Sequence, residues 1–105
     1  MTVETNLNAD TQTLEVTISG RFDFSIHQNF RKATQQAGTG VKAISIDLSD
    51  TDYMDSSALG MLLVLRDKVG ENKDAITIKN PKPEVRKILE IANFDRLFTL
   101  DPATI

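Results

Sequence analysis

The sequence predicts an α/β fold with a largely parallel sheet, and three observations carry that prediction. Short apolar runs alternate with period two, other stretches repeat apolar residues at helical spacing, and the order is strand, strand, helix, strand, helix, strand, helix, strand. Strands joined through helices are joined by crossovers, which makes neighbours parallel. The strands also place Thr, Ser, Glu and Lys on their second face, whereas a sheet covered on both faces shows continuous apolar runs. The expectation is a mostly parallel mixed sheet of four to five strands with helices mainly on one face.

Taken in order, Val3, Thr5 and Leu7 alternate before the turn cluster Asn8-Ala9-Asp10, and Leu14, Val16 and Ile18 alternate again up to Gly20. Arg21-Phe22-Asp23-Phe24 reads as a loop. Ser25 is the expected cap of a first helix, with Gln28 at the reciprocal position of a capping box. Ile26, Phe30, Ala33 and Ala37 form its apolar stripe, which ends at Gly38-Thr39-Gly40. Ile44, Ile46 and Leu48 then alternate with Ser45 and Asp47 in a third strand, followed by an acidic turn and a helix that begins near Ser56 and Ser57. Residues 75–79 form another alternating strand. Asn80-Pro81-Lys82-Pro83 bars a sheet interior but suits a helix start, and Val85, Ile88, Leu89 and Ala92 give the third helix its apolar face. Asn93 stands where a left-handed residue ends a helix, and Phe98 and Leu100 predict a short last strand.

The bulk properties narrow the function classes. At 105 residues and 40% hydrophobic content the chain is expected to form one domain over 1–105 with a real core. There are no cysteines, so neither a structural disulfide nor a thiol nucleophile can be built. The polar start MTVETNLNAD lacks a basic region followed by an apolar run, so a soluble cytoplasmic protein without membrane association is the expectation. A net charge of −3, from 12 basic and 15 acidic residues, argues against nucleic-acid binding.

No catalytic constellation, metal site or cofactor is expected. His27 is the only histidine and falls off the first helix's apolar stripe, and the Gly-x-Ser-x-Gly elbow is absent. Asp47, Asp50, Asp52 and Asp55 have the oxygen chemistry for magnesium, but they follow one strand end among turn formers, which favours turn and cap roles. Gly38-Thr39-Gly40 lies after a helix and before a strand, the wrong order for a phosphate cradle. The acidic pair that a response-regulator receiver carries after its first strand is missing.

The stretch from Ile44 to Gly70 is the candidate site. Asp55-Ser56-Ser57 falls at a strand-to-helix corner, where unpaired N–H groups and the positive end of the helix dipole make a seat for an anion. At about 100° per residue, Leu59, Leu62, Leu63, Leu65 and Val69 are expected to face the sheet. Ser57, Met61, Val64 and Lys68, with Gly60 beside them, form a second stripe on the side away from the core, read as a docking surface headed by a hydroxyl. A phosphate on Ser57 adds about −1.5 to −2 of charge, which a helix N-terminus tolerates but an apolar interface does not.

The same residues resemble a family. DLSDTDYMDSSALGMLLVLRD is similar to the signature of STAS domains, and the whole chain resembles their stand-alone form, the anti-sigma factor antagonists of bacterial partner-switching systems. The resemblance includes Gly20-Arg21-Phe22-Asp23, the Asp55-Ser56-Ser57 corner, Gly60, and the late helix ending in residues 91–98. It implies a protein-interaction switch that is not itself an enzyme. The unphosphorylated form would bind a serine-kinase anti-sigma factor, phosphorylation of Ser57 would release it, and a PP2C-like phosphatase would reverse the modification. Ser56 is the fallback acceptor. Asp55 would position the serine, Asp23 and Phe22 of the first loop would take part in docking, and Tyr53 and Met54 would flank the surface. Ala58 and Asn93 stand where the family commonly has glycine. The rival expectation is a non-switching STAS adaptor, or a module that senses a nucleotide or another small ligand within a larger complex.

Overall fold

A computed structural model of the chain describes residues 2–35, 41–69 and 75–101. Strands β1 (Thr2–Asn8) and β2 (Thr13–Phe22) lead through a 3-10 turn (Phe24–Ile26) into α1 (His27–Ala33). Strands β3 (Ala43–Asp47) and β4 (Thr51–Met54) precede α2 (Ser56–Val69), and β5 (Ile76–Lys79), α3 (Pro83–Ile91) and β6 (Thr99–Asp101) complete the order. Among the described residues the sheet has six strands, arranged β1-β2-β3-β5-β6 with β4 also paired to β2. Every pairing is parallel except β1 with β2, as crossover connections through helices require.

The period-two pattern sets the register. Leu14, Ile44 and Ile76 lie side by side, as do Val16, Ile46, Ile78 and Leu100, and all seven are buried. Slipping one strand by one residue would turn its half of these rows to the opposite, polar face, where Glu15, Thr17, Asp47 and Thr77 stand. Buried residues of all three helices join this face in one core: Phe30 of α1, Ala58, Leu62 and Leu65 of α2, and Val85 and Leu89 of α3. Asn93 adopts φ 62°, the left-handed conformation that ends α3.

Four local expectations are corrected. The sheet has one strand more than expected, because Thr51–Met54 is a strand and not a turn; its burial runs buried, exposed, exposed, buried, which carries no period-two signal. Arg21 and Phe22 belong to β2 rather than to a loop, and Phe22 lies in the core against Phe30 at 5.4 Å between ring centres. Asp23, not Ser25, caps the first helical turn. Of the first helix's stripe Ile26 and Phe30 are buried as expected, but the next buried position is Thr34, the cap residue after α1, whose hydroxyl donates to the Phe30 carbonyl, while Ala33 is only half-buried. Ala37 and Gly38-Thr39-Gly40 lie outside the described residues.

The join between β2 and β4 is irregular. Gly20 pairs with Thr51 and Arg21 with Tyr53, so Asp52 is the extra residue of a bulge, and Gly20 takes φ 84°, which glycine adopts without a Cβ penalty. The buried Thr51 hydroxyl donates to the Ile18 carbonyl at 2.7 Å and closes the junction. The displaced Asp52 carboxylate pairs with Lys82, the residue that precedes α3.

Candidate functional site

Because β2 and β4 run parallel with Arg21 beside Tyr53 and Phe22 beside Met54, the next residues of each, Asp23 and Asp55, leave the sheet as neighbours. Both begin an Asp-x-Ser turn of the same design. Asp23 Oδ1 accepts from the backbone N–H of Ser25 at 2.9 Å and from its hydroxyl. Asp55 Oδ1 accepts from the backbone N–H of Ser57 at 3.0 Å, from its hydroxyl, and from the N–H of Ala58 at 3.2 Å. Asp55 is therefore the cap of α2, with Ser56 and Ser57 in its first turn; Ser56 is exposed and Ser57 half-buried. With the Ser57 hydroxyl donating to the carboxylate, the lone pairs of its oxygen face away from Asp55.

Electrostatics ties the first turn to the neighbouring strand. The Ser25 hydroxyl and backbone N–H, with Arg21 after them, hold the Asp23 carboxyl below its ordinary value. Arg21 Nε donates to Asp23 Oδ2 at 3.1 Å, and its guanidinium lies 4.1 Å from the centre of the Tyr53 ring across the strand pair. Tyr53, Arg21 and Asp23 thus form a chain along the exposed edge of the β2–β4 junction.

The two helices that start from these turns flank a groove of about 620 Å³. Its α1 side is lined by Phe24, His27, Phe30, Arg31 and Thr34, and its α2 side by Ser57, Gly60, Met61, Val64, Leu65 and Lys68. Phe24 stacks on His27 at 5.0 Å between ring centres. The hydroxyl of Ser57 stands at the end of the groove where α2 begins.

Several expected site residues meet here and others do not. Ser57, Gly60, Met61, Val64 and Lys68 share the groove, as the stripe on α2 predicts, but the stripe faces α1 rather than open solvent. Met61 is a correction, since only 7% of it is exposed and it joins the core; it is the floor of the groove and not a free surface residue. Leu63, expected in the core, is exposed instead. Phe22 and Met54, expected at a partner surface, are buried to 0% and 2% exposure, because strand pairing turns both side chains inward. Tyr53 is exposed but does not line the groove. The contributions of Phe24, His27, Phe30, Arg31 and Thr34 were missed. Positions 27, 30, 31 and 34 nevertheless repeat at i, i+3, i+4 and i+7, and reading that stripe as a second face of α1 would have found them.

Three of the four aspartates of the acidic stretch have structural partners. Asp47 Oδ1 accepts from the N–H of Ser49 at 2.9 Å, Asp52 pairs with Lys82, and Asp55 caps α2. Among the described residues no three His, Cys, Asp or Glu side chains gather in a way that would hold a metal ion, and no helix is long and apolar enough to cross a membrane.

Comparison with known proteins agrees with this architecture. A STAS-domain containing protein of Pseudomonas aeruginosa (strain UCBPP-PA14) is 48% identical over 93 residues, covering 89% of this chain and 92% of that protein. Among solved structures, an anti-sigma factor antagonist from Mycobacterium paratuberculosis superposes with a TM-score of 0.72 at 20% identity, covering 94% of this chain and 85% of that one. The anti-sigma factor antagonist SpoIIAA in its unphosphorylated form gives 0.68 at 20% identity over 90% of this chain and 96% of that one. The phosphorylated form of SpoIIAA, described as a Bacillus cell fate determinant, gives 0.65 at 18% identity over 94% and 90%. These structures share the fold. The family model described as "Mlab, STAS domain" matches residues 5–100, and the chain belongs to the STAS domain family.

Proposed function

We propose that this protein is a phosphorylation-controlled interaction switch of the anti-sigma factor antagonist type, with no catalysis of its own. The unphosphorylated form binds a serine-kinase anti-sigma factor, phosphorylation of Ser57 releases it, and a PP2C-like phosphatase restores binding. The observation that carries this reading is the Ser57 hydroxyl, held by Asp55 at the end of the α1–α2 groove. The likeness in fold to an antagonist solved in both unphosphorylated and phosphorylated forms supports it.

The physics of the switch comes from that placement. In the free protein a phosphate on Ser57 sits in the first turn of a fourteen-residue helix, where the dipole favours negative charge by about 0.3–1 kcal/mol while the Asp55 carboxylate, released from the hydroxyl, turns away from it. In the complex the same dianion is pressed against a partner at the mouth of an apolar groove, where unpaired charge costs several kcal/mol. Modification therefore releases the partner without unfolding the domain. The test is calorimetric titration with the cognate kinase, together with mass spectrometry of the Ser56-Ser57 peptide after incubation with that kinase and ATP. Ser57→Ala should bind as tightly as the unmodified protein and Ser57→Asp poorly, with both folded; equal affinities sink the switch.

One observation favours a second reading. A volume of about 620 Å³ lies in the range of small-molecule sites, roughly 300–1,000 Å³. A ligand-sensing or fixed-adaptor STAS module would bind its partner equally well as Ser57→Ala and as Ser57→Asp.

A further inference from the structure

We propose that the groove between α1 and α2 seats an amphipathic helix of the partner whose apolar stripe is flanked by carboxylates. The inference rests on the docking reading above and names the chemistry of what docks.

The first argument is charge. The floor of the groove is mostly apolar, formed by Phe30, Met61 and Leu65 with Thr34, whose hydroxyl is bonded to the Phe30 carbonyl, and the ionisable side chains that line it among the described residues are His27, Arg31 and Lys68, all basic groups. The carboxylates of Asp23 and Asp55 precede the groove at its serine end, and each is occupied by its own turn. His27 opens α1 near these carboxylates, while the far end of the groove carries the cations Arg31 and Lys68 with no carboxylate among its described lining residues. Arg31 and Lys68 occupy the last turns of α1 and α2, so they also complement the helix dipoles, and an acidic partner meets that basic end with opposite charge.

Shape supplies the second argument. From Ser57 to Lys68 the groove follows α2 for about 16 Å at the helical rise, which matches about three turns of a docked helix anchored at i, i+4 and i+7. Its lips stay open, with Phe24 69% and Val64 66% exposed, whereas a small ligand is mostly enclosed by its site. Gly60 on the α2 lip is exposed, and a Cβ there would meet nothing within 4 Å. Glycine weakens a helix interior relative to alanine, and nothing within the described domain requires it at this position. A partner backbone crossing close above Gly60 does. A phosphate on Ser57 then opposes such a partner through the cost of desolvating a dianion at the end of the groove.

The test uses isotopically labelled, unmodified protein and two synthetic alanine-based peptides of about 15 residues, long enough to be helical, with Leu at i, i+4 and i+7. One peptide carries Glu beside the leucines and the other Lys. The Glu peptide should move the NMR signals of Phe30, Gly60 and Met61 and bind about tenfold more tightly than the Lys peptide at low salt. Combining Arg31→Glu with Lys68→Glu should reverse the preference, and Gly60→Leu should weaken the Glu peptide while the fold is retained. Equal affinities, preference for the Lys peptide, no response of the groove to either, or a response to dodecanoate alone would overturn the proposal. Failure here leaves the Ser57 switch standing, because no modified protein is used. Conversely, a Ser57→Asp protein that keeps full affinity for its kinase removes the switch while the charge preference survives.

Discussion

Asp23-Phe24-Ser25 and Asp55-Ser56-Ser57 are two copies of one local device at the ends of adjacent parallel strands, and they differ in the helices they open. In each, a carboxylate oxygen accepts from the backbone N–H and the hydroxyl of the serine two residues on. The first turn opens into a three-residue 3-10 turn and a seven-residue helix, and its serine is exposed. The second opens into a fourteen-residue helix, and its serine is half-buried at the end of the groove. The shared aspartate–serine bonds therefore do not distinguish the two serines. The helix start and the neighbouring groove do, because Ser57 lies in the first turn of an α-helix with its unpaired N–H groups, Ser25 in a 3-10 turn, and the groove sets what an added charge would disturb.

The largest expected effect tests the floor beneath the second turn. Met61→Asp places a carboxylate at a position only 7% exposed and should cost about 3 kcal/mol or more in denaturant unfolding, whereas Val64→Asp, at a position 66% exposed, should stay within about 0.5 kcal/mol. Similar losses for both would mean that the two sides of the α2 stripe are not distinct. Next comes affinity. Ser57→Asp should weaken kinase binding about 100-fold or more, and Ser25→Asp less than about threefold. If Ser25→Asp were the more damaging, the two turns would exchange roles.

The aspartates offer a smaller contrast. Asp55→Ala removes the cap of the longer helix and should cost about 1–2 kcal/mol, with Asp23→Ala costing less because its turn organises only three residues before α1. Thermal unfolding of the two variants in parallel checks the ranking. The smallest effect is a pH dependence. Because the Asp23 carboxyl is held below its ordinary value, its contribution to stability is fully present at neutral pH and above the unfolded-state value. It is lost as pH falls through the lower folded value, so Asp23→Asn should flatten the acid limb of the stability profile below about pH 4. An unchanged acid limb would show that the bonds from Ser25 and Arg21 contribute nothing to folding.

Much of the fold and part of the candidate site are legible in the sequence. Period-two alternation at Leu14, Val16 and Ile18, at Ile44, Ile46 and Leu48, and at Ile76 and Ile78 determines which face of each strand is buried, because successive side chains of a strand alternate sides. Element order determines parallel pairing, Asn93 marks the end of α3, and the polar Asp55-Ser56-Ser57 corner marks the start of α2. Tertiary structure alone decided three things. Thr51–Met54 became a strand because β2 outruns β3 and leaves its last residues to be paired, a partnership that a four-residue segment cannot announce. The rotation of α2 was decided by packing, since Leu59, Met61, Leu62, Leu63, Val64 and Leu65 are apolar on nearly every side and helical period alone does not choose among them. The groove required α1 and α2 to start side by side. That is a consequence of which strands are neighbours in the sheet, and spacing along a single helix cannot encode it.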